Sequence, residues 1–287
     1  KYCYQFGAKS HQYQWNPPAS VEEVEEFEQK IGVRLPEEYR DFLLLAGNGG
    51  AGPYYGLFSL QKILYWLEDG MDPKKEPVLY PGIEIPQEYY EDEELDDEEY
   101  DCAHMIDDEE QENDSETEGE DYLQGCIPIG SQGDSYFMYL LLSGPNEGRV
   151  VYVESELTYV FFPREQGFLA WYKRWLREVS GGYHIFWFGT NLDGDEDELR
   201  ERYQNTTDKE EKRLILSSME KFPVLSAASK AWIVEAAQEY IHESNTRWLL
   251  GFLPTKELDA FLEQRWALGL YDGIIWEIYD VRNRYRG

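Results

Sequence analysis

Apolar residues near the start of the chain recur at helical spacing and predict two helices in succession. The first stripe consists of Val21, Val24, Phe27 and Ile31. A capping box at 20–23 marks the start of this helix, and Gly32, which suits a left-handed C-cap, follows the stripe. The second stripe consists of Tyr39, Phe42, Leu43 and Ala46, with Pro36 before it and Gly47 after it. We therefore expect a helical hairpin over residues 20–46.

The central part of the chain changes from helical spacing to strand-like runs. A glycine-rich loop at 47–58 and a short amphipathic stretch at 61–69 come first. Strands are then predicted over residues 127–129, 135–142, 149–153 and 157–162. The second and third of these runs flank the turn-rich segment 143–148, so they should pair as an antiparallel hairpin.

An amphipathic helix is predicted after Pro163, where it should close the sheet. Its apolar face consists of Phe168, Trp171, Tyr172, Trp175, Leu176 and Val179. Helices, an antiparallel sheet and a closing helix make an α+β domain, which we place at 1–190. Residues 191–287 have helical spacing. Their N-cap residues are Asp195, Asp208, Ser226 and Thr255, and apolar residues recur over 226–241 and 271–279. We expect an all-α C-terminal domain there.

The charge of the chain is strongly negative and is concentrated in one segment. Asp and Glu number 58 against 26 Lys and Arg, for a formal net charge of −32. Residues 88–121 hold twenty of these carboxylates and no Lys or Arg, so we interpret them as an acidic insert. Such a field repels nucleic acid and anionic membranes and attracts basic proteins. We therefore expect a basic protein partner, no nucleic-acid partner and no membrane partner.

Two interpretations of the acidic insert stay open: a solvating loop, or a partner-binding surface that imitates a polyanion. The second is favoured by aromatic residues between the carboxylates, because aromatic side chains are enriched in protein interfaces. The candidate partner-binding residues are Tyr89, Tyr90, Asp92, Glu93, Glu94, Asp96, Asp97, Glu98, Glu99, Tyr100, Asp107, Asp108, Glu109 and Glu110.

Three motifs resemble ligand sites, and each is set against a structural alternative. Residues 47–52 match G-x-G-x-x-G but follow a helix rather than a strand, which favours close backbone packing. Residues 193–197 resemble the start of a calcium loop but lack its sixth-position glycine, which favours a helix start. Cys102 and His104 form half a metal site at most. We predict no catalytic residues, no metal site, no cofactor and no enzymatic activity.

The cysteines and the apolar runs indicate a cytoplasmic protein. Cys3, Cys102 and Cys126 form no CxxC pair and no disulfide framework. The first six residues lack the apolar core of a signal peptide, and the longest apolar run, 136–142, is too short to span a bilayer.

Several motifs in order along the chain resemble the SMI1/KNR4, or SUKH, family. The segment 20–43 is similar to the family's N-terminal signature of a helix, a Gly, a Leu-Pro and a second helix with Tyr and Phe-Leu. Similar blocks follow at 47–50, 56–60, 129–134 and 143–150. The resemblance covers roughly residues 15–180. The acidic insert and the helical C-terminal region depart from the family pattern.

The resemblance implies an α+β domain with a mostly antiparallel sheet and no catalytic residues. Many bacterial members are immunity proteins against polymorphic toxins, often nucleases, whereas other members have regulatory or scaffold roles. Two hypotheses follow. The chain is an immunity protein that blocks a basic, nucleic-acid-targeting toxin domain, or it is a non-catalytic regulatory scaffold without a toxin. A neighbouring gene for a large toxin with a basic C-terminal domain would decide between them.

Overall fold

A computed structural model describes residues 5–67, 71–85, 121–155, 157–185, 187–236, 239–240, 250 and 255–267. Its contacts divide the chain into two compact units, residues 1–172 and 173–287. The division falls within the helix 168–180. The domain boundary predicted near residue 190 stays a prediction.

The first unit begins with the predicted helical hairpin. The hairpin consists of α1 (Val21–Ile31) and α2 (Glu37–Leu45), and α3 (Leu60–Trp66) follows it. The predicted capping box is present: the Ser20 hydroxyl accepts from the Glu23 N–H, and the Glu23 carboxylate accepts from the Ser20 N–H. Gly32 ends α1 in the left-handed conformation. The hairpin prediction is confirmed, with Pro36 at the N-cap of α2 rather than inside it.

A four-stranded antiparallel sheet follows, in the order β1-β2-β3-β4. Its strands are β1 (Cys126–Gly133), β2 (Tyr136–Leu141), β3 (Val150–Glu154) and β4 (Val160–Phe161). The predicted pairing of the second and third strands is confirmed. The fourth strand is shorter than predicted because Leu157 has φ of 61°, a left-handed conformation that cannot continue a strand.

The two faces of the sheet are covered differently. On one face, Tyr139, Leu141 and Val151 belong to a buried cluster with Met71 and Leu79. The opposite face carries Met138, Leu140 and Tyr152. Here the Trp171 indole N–H donates to the Tyr152 hydroxyl at 2.8 Å. Trp171 lies in α4 (Phe168–Ser180), the helix predicted to close the sheet.

Every regular element described in the second unit is a helix, which agrees with the all-α prediction as far as the described residues extend. After α4 come α5 (Glu196–Asn205), α6 (Lys209–Ser218), α7 (Ala227–Ala236) and α8 (Thr255–Ala267). Asp195 and Asp208 cap α5 and α6 as predicted, and the Ser226 hydroxyl accepts from the Ser229 N–H at the start of α7. The helix predicted at 271–279 lies outside the described residues.

Candidate functional site

The residues of the acidic insert and its tyrosines that are predicted to bind a partner lie outside the part of the chain that the structure describes. This holds for all fourteen of them, from Tyr89 to Glu110, and for the half metal site at Cys102 and His104. Their role in binding stays a prediction.

The glycine-rich motif at 47–52 serves close backbone packing. The Gly50 N–H donates to the Leu57 carbonyl and the Ala51 N–H donates to the Gln14 carbonyl, at 2.9 Å each. Gly50 has φ of 100°, and a Cβ atom on it would lie 2.6 Å from the Gln14 carbonyl oxygen. These N–H groups are committed to neighbouring chain segments, whereas a phosphate cradle directs its N–H groups at the ligand. The packing interpretation is confirmed.

Replacing Gly50 by alanine is expected to lower the free energy of unfolding by at least about 2 kcal/mol, since it adds a backbone clash to an unfavourable φ. Gly82 is the matched control, because its φ is 86° but a Cβ atom there would have nothing within 4 Å. Gly82→Ala should therefore cost only the conformational strain. Urea unfolding of both variants measures the difference, and equal losses would contradict the packing role of Gly50.

The calcium-loop-like segment 193–197 is a helix start. The Asp195 side chain accepts from the N–H groups of Asp197 and Glu198, each at 2.9 Å, which is N-terminal capping of α5. Asp193 accepts from the Arg177 guanidinium at 2.5 Å. Within the described residues no group of three or more His, Cys, Asp or Glu side chains could hold a metal ion. The helix-start interpretation is confirmed.

A surface rich in aromatic residues lies at the end of the sheet where one turn connects β1 to β2 and another connects β3 to β4. Tyr136 pairs with Glu154 across β2 and β3, and the Glu154 N–H donates to the Tyr159 carbonyl at 2.9 Å. Paired residues in antiparallel strands place their side chains on the same face. Tyr136, Glu154 and Tyr159 therefore form one row across three strands. Phe161 pairs with Tyr152 in the adjacent row of this face.

Two exposed aromatic side chains continue this row beyond β2. Gly133 pairs with Tyr136 at the end of β1, and the Tyr55 ring lies over it, 2.7 Å from where a Cβ atom would be. Phe6 contacts Tyr55 edge-on, with 5.5 Å between ring centroids. Phe6 is 57% exposed and Tyr55 is 44% exposed. We call Phe6, Tyr55, Tyr136, Tyr159 and Phe161 the aromatic end of the sheet.

The two turns at this end hold their backbone in an unusual conformation. Asp134 in the first turn has φ of 52°, and Leu157 in the second has φ of 61°. The Ser155 N–H donates to the Ser135 carbonyl at 2.9 Å, which joins the turns side by side. Left-handed conformations of residues other than glycine cost roughly 1–3 kcal/mol and concentrate at functional sites. These two turns lie at the same end of the sheet as the exposed aromatic rings, and Gln12, Tyr13, Tyr54 and Trp187 have positive φ elsewhere in the chain.

A half-exposed indole is anchored in the same unit. Trp15 is 49% exposed, and its N–H donates to the Tyr172 hydroxyl at 2.5 Å. The Tyr172 hydroxyl donates in turn to the Ala51 carbonyl at 2.7 Å. Burial raises the pKa of Tyr172 to about 12, so this hydroxyl keeps its proton near neutral pH. Trp15 is thus held at its nitrogen while much of its ring faces solvent.

Most of the first unit matches a known protein family. The model of the SMI1/KNR4 family (SUKH-1) matches residues 18–170, which is more than half of the chain. The chain belongs to the SMI1/KNR4 family. No curated protein and no solved structure matches it.

The SMI1/KNR4 match places the candidate site within the family domain. It includes the whole sheet and, of the aromatic end, every residue except Phe6. The second unit, from residue 173, lies beyond the match. Among the residues that the structure describes, no helix is both long enough and apolar enough to cross a bilayer.

Sequence reasoning did not select any residue of the aromatic end as functional. The strand patterns at 135–142 and 157–162 contain Tyr136, Tyr159 and Phe161, but a single strand does not reveal its neighbours. Only the register brings these rings together around Glu154. The signal that could have found them is the density of aromatic residues next to turn-forming glycines.

Proposed function

We propose that this SMI1/KNR4 protein is an immunity protein that binds and blocks a cognate toxin, whose active domain is basic and targets nucleic acid. The aromatic end of the sheet is the observation that carries the proposal. In the proposed function, the protein blocks the toxin by covering it, without catalysis and without a cofactor. The family includes immunity proteins, which supports the assignment to this function.

The composition of the aromatic end supports binding to a protein. Tyr, Trp and Phe are enriched in interfaces, and a few aromatic residues usually supply most of the binding energy. Phe6 and Tyr55 are both exposed, and they lie against Gly133, next to the two joined turns. Large rings at such a position add contact area at a low cost in side-chain entropy.

The charge of the chain supports a basic partner. A protein with a formal net charge of −32 attracts cationic surfaces and repels phosphate. Toxin domains that grip nucleic acid carry Lys and Arg where they contact the backbone, so an acidic protein competes for that surface. Complementary charge raises the association rate and suppresses wrong partners.

The proposal places the protein in the cytoplasm, where the toxin would act and where thiols stay reduced. Cys126 is buried and free, and burial raises the pKa of its thiol to about 12. A buried protonated thiol is inert, so it suits a structural role and not a nucleophilic one.

Co-expression with the toxin domain encoded by a neighbouring gene tests the proposed function. Wild-type protein should restore growth of the host, and Phe6→Ala with Tyr55→Ala should weaken toxin binding about 10- to 100-fold, as loss of interface anchors does. Tyr65→Ala is the matched control, because Tyr65 lies on α3 and is 80% exposed. Isothermal titration calorimetry measures the affinities. No binding by the wild type would overturn the immunity function, and equal binding by all variants would remove the aromatic end from the interface.

A further inference from the structure

We propose that the turn formed by residues 78–83 is an apolar docking point for a basic protein, in addition to the aromatic end of the sheet. This inference rests on the proposed function and deepens it, since it names a second surface that contacts the same partner. The occupant is a protein surface with an apolar centre and lysine or arginine residues around it. We call residues 78–83 the docking turn.

The sequence of the docking turn fixes its backbone. The Ile83 N–H donates to the Tyr80 carbonyl at 3.1 Å, which closes a four-residue turn. Pro81 restricts φ at the second position, and Gly82 has φ of 86° at the third, so the turn is of type II. Proline and glycine are the residues that these two positions favour. A turn that its own sequence holds in shape loses little conformational entropy when a partner binds.

Apolar side chains anchor the docking turn on the sheet. Leu79 is 1% exposed and belongs to the buried cluster that contains Tyr139 and Leu141 of β2. Ile83 and Ile85 are partly buried and pack against the same cluster. The chain is therefore anchored before and after the tip of the turn.

The tip of the docking turn exposes apolar side chains to solvent. Val78 is 42% exposed and Tyr80 is 53% exposed, and Pro81 is exposed as well. A Cβ atom on Gly82 would have nothing within 4 Å, so open space surrounds the tip. Single exposed apolar residues are common on soluble proteins, whereas a contiguous group is typical of an interaction site. Tyrosine is in addition one of the residues that most often supply binding energy in interfaces.

The docking turn is poor in charge, but it lies next to the acidic insert in the sequence. Residues 77–85 contain one charged residue, Glu84, in a chain in which 29% of the residues are charged. Ile85 precedes the acidic insert and Tyr122 follows it, and both pack against the buried cluster that holds Leu79. The chain therefore enters and leaves the acidic insert at the cluster that carries the docking turn.

A basic protein fits this combination better than the other classes of partner. The twenty carboxylates of the insert attract lysine and arginine, and they repel nucleic acid and anionic membranes. A second copy of this chain would bring its own negative charge to the same place. An apolar contact within a charged surround matches the usual anatomy of an interface, which has an apolar core and a polar rim. The face of the Tyr80 ring also attracts a neighbouring cation.

Titration of the whole chain with two synthetic peptides, followed by NMR chemical shifts, tests the docking turn without the toxin. The first peptide, acetyl-Lys-Lys-Leu-Phe-Lys-Lys-amide, has an apolar centre, and the second has two serines in place of leucine and phenylalanine. The carboxylates should attract both peptides equally. The first should bind at least about fivefold more tightly, because its centre buries apolar surface against the turn. Its shifts should include Val78, Tyr80 and Ile83.

Replacing Val78 and Tyr80 together by serine should abolish this preference, so that both peptides bind alike. Val21→Ser with Leu45→Ser is the matched control, because these exposed apolar residues lie on the helical hairpin. The control should keep the preference, and circular dichroism checks the fold of both variants. Equal binding of the two peptides by the wild type, or a preference that survives in the Val78 and Tyr80 variant, would overturn the docking turn.

The toxin domain separates this inference from the proposed function. The Val78 and Tyr80 variant should bind the toxin domain about tenfold more weakly than the wild type, as loss of interface anchors does. Toxin binding by a wild type that shows no peptide preference would refute only the docking turn. A peptide preference in a wild type that does not bind the toxin would refute only the proposed function.

Discussion

Replacing Glu178 by alanine is expected to lower the free energy of unfolding by about 3–5 kcal/mol, the usual cost of removing one partner of a buried ion pair. Glu178 accepts from the Arg174 guanidinium at 2.9 Å, and its carboxylate lies 3.7 Å from the Lys221 ammonium group. All three side chains are at most 5% exposed. Without Glu178, two cations stay buried without this counter-charge. Urea unfolding followed by tryptophan fluorescence measures the loss.

The surroundings of Lys221 explain why the effect should be large. Its ammonium group donates to the Leu192 carbonyl at 2.6 Å, and Arg174 donates to the Asn191 carbonyl at 2.5 Å. The cations therefore hold the segment that leads into α5. Burial lowers the pKa of Lys221, and the carboxylate of Glu178 opposes this. In the variant the pKa of Lys221 should fall further.

The lowered pKa of Lys221 makes the stability loss of Glu178→Ala depend on pH. A lysine whose pKa is lower in the folded state binds fewer protons there than in the unfolded state, so stability rises with pH up to the unfolded value. The deficit of Glu178→Ala should therefore shrink as the pH rises toward the unfolded value for lysine, about 10.4. Glu210→Ala is the matched control, since Glu210 and Arg213 form an exposed pair. That pair should contribute less than about 1 kcal/mol. If Glu178→Ala lost no more stability than Glu210→Ala, the result would contradict a stabilising ion network of Glu178, Arg174 and Lys221.

Helix starts were predictable from the sequence because capping is local. The Ser20 capping box and the caps at Asp195 and Asp208 involve residues at most three positions apart. The hairpin of β2 and β3 was predictable for the same reason, since a short turn fixes the register. The shortened β4 was not, because the left-handed Leu157 lies in a run whose composition is typical of a strand.

The candidate site and the buried ions depend on long-range pairing and could not be predicted from the sequence. Glu178 was predicted to lie on an amphipathic helix, but its contact with Lys221 joins segments more than forty residues apart. The aromatic end likewise needs the register of three strands and the approach of Tyr55 to Gly133. Hydrophobic patterns assign a residue to a face of its element, and they do not reveal what lies against that face.

Neutralising the acidic insert is expected to slow association with the basic toxin domain about tenfold at low salt, because steering depends on the charge of the approaching surface. The change replaces Asp and Glu by Asn and Gln in the clusters 92–94 and 96–99. These seven carboxylates belong to a segment with twenty acidic residues and no Lys or Arg. Stopped-flow or surface plasmon resonance kinetics at low and high salt measure both rate constants, with circular dichroism as the fold check.

The salt dependence separates steering from direct contact. Charges farther apart than about 8 Å are screened at physiological ionic strength, so a steering effect should shrink as salt rises, with dissociation little changed. Carboxylates that are paired in the complex should accelerate dissociation as well when they are replaced. The control for net charge removes seven exposed carboxylates elsewhere, by changing to Gln or Asn the residues Glu22, Glu25, Glu26, Glu37, Asp41, Glu147 and Glu201. An insert variant no slower than this control at every salt concentration would leave only a solvating role for the insert. Recognition would then rest on the aromatic end, whose contribution the Phe6 and Tyr55 variants measure independently of the insert.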